Sequence, residues 1–340
     1  MLEVTVKFCL GVLLGSISFY GLLANILVVP PVYWLTFVSK KSPIYVISLV
    51  NLFTDMLNLL LTLCYLVPII LNSAFVTSST NDMQFSFYIG TCFMFCWYVG
   101  SMTQIIMALN RVVVICSGYK DFFTHRVLLL IFSFIFPTAI ALTYLAQFGF
   151  SCCALVYDNR ILSIRYHSFG NATINYSNLF IDVPLNFGTS MTAFVCYSMA
   201  RGKIIFEIWK TKKAIGVEVA AQSNHVKREI SYAIQFCLIT IFYTISWILF
   251  RLFPIILGNR GMELYCFVMI AVSLNNSANA VVFIIFNKEV LRCILRSRFF
   301  LFLPAERSDP QPPTSLVRSI HSPLHPADPA PSHPTPIQAS

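Results

Sequence analysis

Five ionisable side chains interrupt runs that are otherwise apolar: Asp55, Arg111, Asp182, Arg251 and Glu263. A sixth, Glu229, opens another such run. A charge inside a hydrocarbon-spanning helix costs about 2.5–3.5 kcal/mol on insertion scales, so each requires a partner or a task. Arg111 and Glu229 can pair at the ends of two helices and hold them together; the alternative is two charges that snorkel separately to the interface. Arg251 can meet a carboxylate or sulfate group of a ligand; the competing expectation is that it snorkels to the outer interface or pairs internally with Asp182 or Glu263. Asn25, Asp55, Asn275, Asn276 and Asn279 form a further set, a buried polar cluster. It reads either as interhelical glue, at ~0.6 kcal/mol per hydrogen bond, or as a hydrated hinge holding a cation near Asp55. Catalysis has no foothold: the sequence holds no HExxH, no GxSxG and no His within the apolar runs. An enzyme is not expected, nor a metal centre or cofactor.

The apolar runs that carry these residues are Phe8–Val38, Pro43–Leu71, Phe85–Arg111, Val127–Phe150, Asn178–Ala200, Ile230–Leu257 and Gly261–Phe286. Each exceeds the roughly 20 residues a helix needs to cross about 30 Å of hydrocarbon. Alternating strands of barrel type are not seen, and in lipid the backbone must satisfy itself, so the runs predict helices. Composition agrees. Hydrophobic residues make up 57% of the 340-residue chain and charged residues 11%, against about 25% charged in soluble domains. That excludes a disordered chain, a fibre and a nucleic-acid-binding domain. The predicted fold is an all-α membrane protein, a seven-transmembrane helix bundle over 1–300.

Charge placement predicts the orientation. With the N-terminus outside, the segments on the cytoplasmic side hold 17 Lys and Arg and the outer segments 4, namely Lys7, Arg160, Arg165 and Arg260. The reverse arrangement would invert the positive-inside bias. Asn171-Ala-Thr173 and Asn175-Tyr-Ser177 are glycosylation acceptors in a loop that this orientation puts outside. The leading residues include Glu3 and lack a positive n-region, so they read as the first membrane helix and not as a cleaved signal. Most cysteines inside the runs read as packing residues, and Cys9, Cys152 and Cys153 lie near the oxidising side. Residues 301–340 are rich in Pro and Ser and predict a disordered cytoplasmic tail.

Several short motifs, in order, resemble the rhodopsin-like family of seven-helix G-protein-coupled receptors. Gly21 and Asn25 resemble its helix-one pair. Ser42-Pro43 followed by Asp55 resembles its entry into helix two and its aspartate. Asn110-Arg111-Val112 resembles the Asp-Arg-Tyr box, and Asn279-Ala-Val-Val-Phe283 the Asn-Pro-x-x-Tyr box. Glu229 stands eighteen residues before Trp247, as the lock glutamate and toggle tryptophan do. Phe286-Asn-Lys-Glu-Val290 resembles the start of a short interfacial eighth helix, on which Cys293 is a palmitoylation candidate. Departures are Ala280, Phe283 and Leu249 in place of Pro, Tyr and Pro, a fourth helix without its Trp, and Ser86 where the disulfide cysteine belongs. This drift, with Asn-Arg at the third helix, is similar to the nematode serpentine chemoreceptors, class x first among them.

The resemblance implies a chemosensory receptor of the plasma membrane, multi-pass and possible in a sensory cilium. Its partners would be a small-molecule ligand outside, a heterotrimeric G protein inside, and membrane lipid. Phe93, Met94, Trp97, Trp247, Arg251 and Met269 would line the ligand pocket. Asn110, Arg111, Glu229, Asn279 and Phe283 would form the coupling switch. Ser273 stands where opsins carry the retinal lysine and Phe93 where amine receptors carry an aspartate, so the implied ligand is apolar or anionic. Ser308, Thr314, Ser315, Ser319 and Ser322 are phosphorylation candidates in the tail. The rival expectation is a transporter or channel, favoured by Asp55, Asp182 and Arg251 and opposed by the lack of a two-fold repeat or filter.

Overall fold

Prolines place two of the π-helical turns of the bundle. Pro68 and Pro184 each follow a π-helical turn by two residues: Thr62–Leu66 precedes the first and Asn178–Asp182 the second. A proline ring clashes with the carbonyl four residues back and removes a donor. Widening the preceding turn accommodates the ring, and the N–H groups of Val67 and Val183 bond to carbonyls five residues back. The second turn sets the position of Asp182.

The computed structural model describes residues 4–72, 81–117, 122–158, 161–168, 174–213, 219–257 and 262–300. Side chains at 4, 81–83, 117, 168, 207–213, 219–233, 254–255, 257, 262–263 and 297–300 are not described. In chain order, α1 is Val4–Tyr33 with a π-helical end, Trp34–Val38. α2 is Ile44–Leu61 and runs on through the π turn into Val67–Asn72. α3 is Asn81–Val112 and α4 is His125–Tyr144, the latter ending in a π turn, Leu145–Gly149. A hairpin follows, β1 Cys153–Asp158 and β2 Ser163–Ser168. The remaining helices are α5 Val183–Lys213, α6 Val219–Leu257, α7 Cys266–Phe286 and α8 Lys288–Phe300. Seven are long and apolar enough to span a membrane. The contacts below lie within one compact unit, Met1–Arg298.

Two differences from the sequence reading have physical causes. α6 begins at Val219, well before Ile230, because helix propensity in the Lys-, Arg- and Gln-containing segment does not stop where hydropathy does. The loop between α4 and α5 contains a two-stranded antiparallel hairpin, with Cys153 opposite Ser168 and Asp158 opposite Ser163. An all-α reading omits it.

α7 is the most enclosed helix, with 72% of its most apolar window buried against 28% for α1, α4 and α6. It packs on α1, α2 and α6. Gly21 permits the α1 contact: a β-carbon there would stand 1.9 Å from the Ser277 hydroxyl. Outward-facing residues are large and apolar, among them Phe134, Phe194, Ile256 and Ile285. Such a surface suits hydrocarbon and not water. Asn287 breaks the chain between α7 and α8, and its Oδ1 caps α8 by accepting from the N–H groups of Glu289 and Val290, both at 3.1 Å. Tyr45 OH donates to Glu289 Oε2 at 2.8 Å, and Lys41 pairs with the same carboxylate at 3.5 Å, which ties α8 to the start of α2.

Candidate functional site

The hairpin lies against α3, held by side chains from three elements. In an antiparallel ladder every second residue turns its N–H and C=O away from the partner strand. On β1 those groups belong to Cys153, Leu155 and Tyr157. Ser86 of α3 brackets Tyr157, accepting from its N–H at 2.8 Å and donating to its C=O at 3.3 Å. Gln147, at the end of α4, brackets Leu155 likewise, at 2.7 and 3.1 Å. Ser177 donates to Ala146 O at 2.6 Å and reaches Cys153 O at 3.4 Å. The free edge of β1 is thereby satisfied without another strand. Gly90 permits the approach, since a β-carbon there would sit 2.1 Å from the Leu155 carbonyl. Cys152 and Cys153 are bonded to each other. Ser86, where the family's bridging cysteine is absent, holds the strand by hydrogen bonds.

Beneath the hairpin is a pocket with a free volume of about 40 Å³. Phe93, Met94, Trp97, Trp247 and Met269 are among its walls, with Leu155, Ile164 and Tyr166 of the hairpin above them. Phe93 stacks on Trp97 at 6.3 Å, Trp97 on Tyr243 at 5.2 Å, and Tyr166 meets Phe250 edge-on at 6.2 Å. Trp247 Nε1 is buried with no hydrogen-bond acceptor among the described residues. Burial pushes the Tyr157 and Tyr166 phenols up, so the hairpin presents neutral hydroxyls.

Of the alternatives for Arg251, the structure takes the internal pair: its guanidinium bonds to Asp182 Oδ2. Asp182 lines the pocket and Arg251 does not. The Glu263 side chain lies outside the described residues. Asn186, one turn along α5 from Asp182, gathers the neighbouring polar groups. Its Nδ2 donates to Asp182 Oδ1 and to the Asp182 carbonyl, both at 2.7 Å. Its Oδ1 accepts from Trp97 Nε1 at 2.8 Å, from Ser101 at 3.3 Å and from Tyr243 OH. Asn186, Ser101 and Tyr243 were not singled out in the sequence. The signal was there as helical spacing: 93, 97 and 101 on α3, 182 and 186 on α5, and 243, 247 and 251 on α6 repeat at one turn.

From this hub, contacts between α3 and α6 continue toward Arg111. Ser101 and Tyr243 hydroxyls are 2.7 Å apart, Thr240 donates to Gln104 at 3.2 Å, and the Arg111 guanidinium stands 5.3 Å over the Phe236 ring. Phe236 meets Phe283 of α7 edge-on at 6.3 Å. Asn110 Oδ1 accepts from the Arg111 guanidinium at 2.7 Å. Phe236 was missed in the sequence. The Glu229 side chain, expected as partner of Arg111, lies outside the described residues.

The amide cluster does span α1, α2 and α7. Asn279 donates to Asp55, Asn25 donates to the Asn276 carbonyl at 3.1 Å, and Asn275 donates to Asn276 Oδ1 at 3.4 Å. Five amide atoms of the region, on Asn25, Asn58, Asn275, Asn276 and Asn279, are buried without a partner among the described residues. No group of three or more metal-ligating side chains is assembled among the described residues. Asn171 lies outside them. Asn175 uses its Oδ1 to accept from Asn178 N at 2.8 Å, which leaves its amide nitrogen outside that bond. Cys293 is half-buried against the core, and burial pushes its thiol up while nearby Lys41 pulls it down. The expected tail, 301–340, is outside the described residues.

Comparison with known proteins settles the class. The structure is similar to the crystal structure of squid rhodopsin, with a TM-score of 0.71 and 14% identity over 91% of this chain and 90% of that one. At that identity the likeness speaks for the fold. A search of curated proteins returned no match. The family model of the serpentine type seven-transmembrane G-protein-coupled chemoreceptor Srx matches residues 16–287. A bundle of seven spanning helices, and a match across most of the chain, make this a multi-pass receptor of the plasma membrane and not an enzyme. The chain belongs to the Srx family of serpentine G-protein-coupled chemoreceptors.

Proposed function

We propose that a small, neutral, largely apolar ligand binds beneath the hairpin, against Phe93, Met94, Trp97, Trp247 and Met269. The observation that carries this reading is the largely apolar, aromatic-walled pocket that β1 and β2 help to line. Arg251 acts through Asp182 as part of the wall. Because that charge is already paired, an anionic ligand gains less here than a neutral one. Trp247 Nε1 offers one unclaimed donor, so the ligand carries one hydrogen-bond acceptor.

The free volume of about 40 Å³ is room for a few water molecules at most, so a ligand selects an expanded pocket. Only such differential affinity shifts a receptor between states. Expansion displaces Trp247 and Phe250 on α6, and the α3–α6 contacts carry the change to Phe236. Release of Phe236, with Phe283 packed against it, from Arg111 parts the inner ends of α3 and α6, and the heterotrimeric G protein binds there. The charge bias places this end in the cytoplasm, with 301–340 as its tail, and the hairpin outside.

A ligand-panel screen in a calcium or cAMP reporter line tests the pocket. Wild-type receptor responds to at least one compound, and Met269→Trp, which fills the pocket, loses that response at equal surface expression. An undiminished response in Met269→Trp would place the ligand elsewhere.

A further inference from the structure

A second cavity opens between α5 and α6 on the lipid-facing side, in the half nearer Arg111, with a volume of about 680 Å³. Its rim is apolar and exposed: Phe194 on α5, and Ile234, Ile241 and Ile245 on α6. Its two ends differ chemically. Near mid-span, Ser190 and Thr244 hydroxyls meet at 3.3 Å and close it. At the other end stands Arg201, exposed and with no ion pair among the described residues. Ser190 and Arg201 are eleven residues apart, about 16 Å along a helix. That is close to half of the roughly 30 Å hydrocarbon thickness. The groove therefore runs from the middle of the bilayer to the interface that the charge bias makes cytoplasmic.

We infer that this groove holds one acyl chain of an anionic phospholipid from the cytoplasmic leaflet, with the lipid phosphate on Arg201. Three features fit one occupant. The walls are apolar and open sideways to lipid, which admits a chain but gives a soluble ligand no route. The length matches one leaflet. Arg201, the one cation among the described lining residues, sits at headgroup depth, where guanidinium recognises phosphate in a forked geometry. The site lies on the far side of α5 and α6 from the pocket under the hairpin. It does not depend on what binds there.

The test uses delipidated full-length receptor in detergent, titrated with phosphatidylserine or with phosphatidylcholine of the same acyl chains. Retained lipid is counted by native mass spectrometry. Wild type should retain one phosphatidylserine with about fivefold preference over phosphatidylcholine, the scale of one interfacial cation. Arg201→Gln should lose the preference and Arg201→Lys keep most of it. Thr244→Trp, which blocks the groove, should lower retention of both lipids, with a melting temperature near wild type as the folding control. Equal retention of the two lipids by wild type, an unchanged preference in Arg201→Gln, or a lipid-free dimer formed through this face would overturn the proposal.

Discussion

Two polar regions of the bundle differ in how their central amides are partnered. Asn186 is fully buried, and its amide has a partner in every direction: two acceptors for Nδ2 and three donors for Oδ1, drawn from α3, α5 and α6. Around Asp55 the amides are as buried, but five of their atoms have no partner among the described residues. A satisfied network in a low-dielectric interior stiffens what it joins, and an incompletely satisfied one leaves room for exchange of partners. On the proposed reading the first region holds the outer pocket in shape, and the second, between α1, α2 and α7, is where helices re-pair.

The largest effect should come from breaking the outer pair. Asp182→Ala leaves the Arg251 charge buried and alone, and should cost about 3–5 kcal/mol of stability in detergent unfolding. Asp182→Leu combined with Arg251→Met should recover most of it. Next, Asn186→Leu strands Trp97 and Tyr243 together and should cost about 2–3 kcal/mol by the same measurement. Phe236→Leu removes a cation–π contact of about 1 kcal/mol and should raise ligand-independent G-protein signalling roughly fivefold at equal surface expression. The smallest stability change is expected at the hinge: Asn275→Leu, which removes an unpaired carbonyl oxygen, should stay within about 1 kcal/mol of wild type. A loss there as large as that of Asn186→Leu would erase the contrast between the regions.

Much of this was legible in the sequence, for a specific reason. Spanning helices are written in hydropathy, and the seven runs follow from it. The expected pocket residues Phe93, Met94, Trp97, Trp247 and Met269 came from the resemblance to the receptor family, and Asp182 lines the pocket where Arg251 was expected. The hairpin was not legible. β1 is buried on both faces, so Cys153–Asp158 shows no alternation of apolar and polar residues. Its anchors, Ser86 and Gln147, belong to other elements, and a polar residue at the end of a span ordinarily faces headgroups. Arg251 had two acids within reach in sequence terms, and the structure pairs it with Asp182, which the π turn before Pro184 positions. Phe236 looked like any aromatic on an apolar helix until α3 placed a guanidinium over it.

The central claim, that filling the pocket under the hairpin separates the inner ends of α3 and α6, is tested most directly by distance. Spin labels at Val114 and Ile234, in a receptor whose other reactive cysteines are replaced, report that separation by pulsed electron resonance. Addition of a compound that activates the reporter should move part of the population to a longer distance, and Met269→Trp should prevent the move. An unchanged distance distribution under a compound that still activates the reporter would contradict the account.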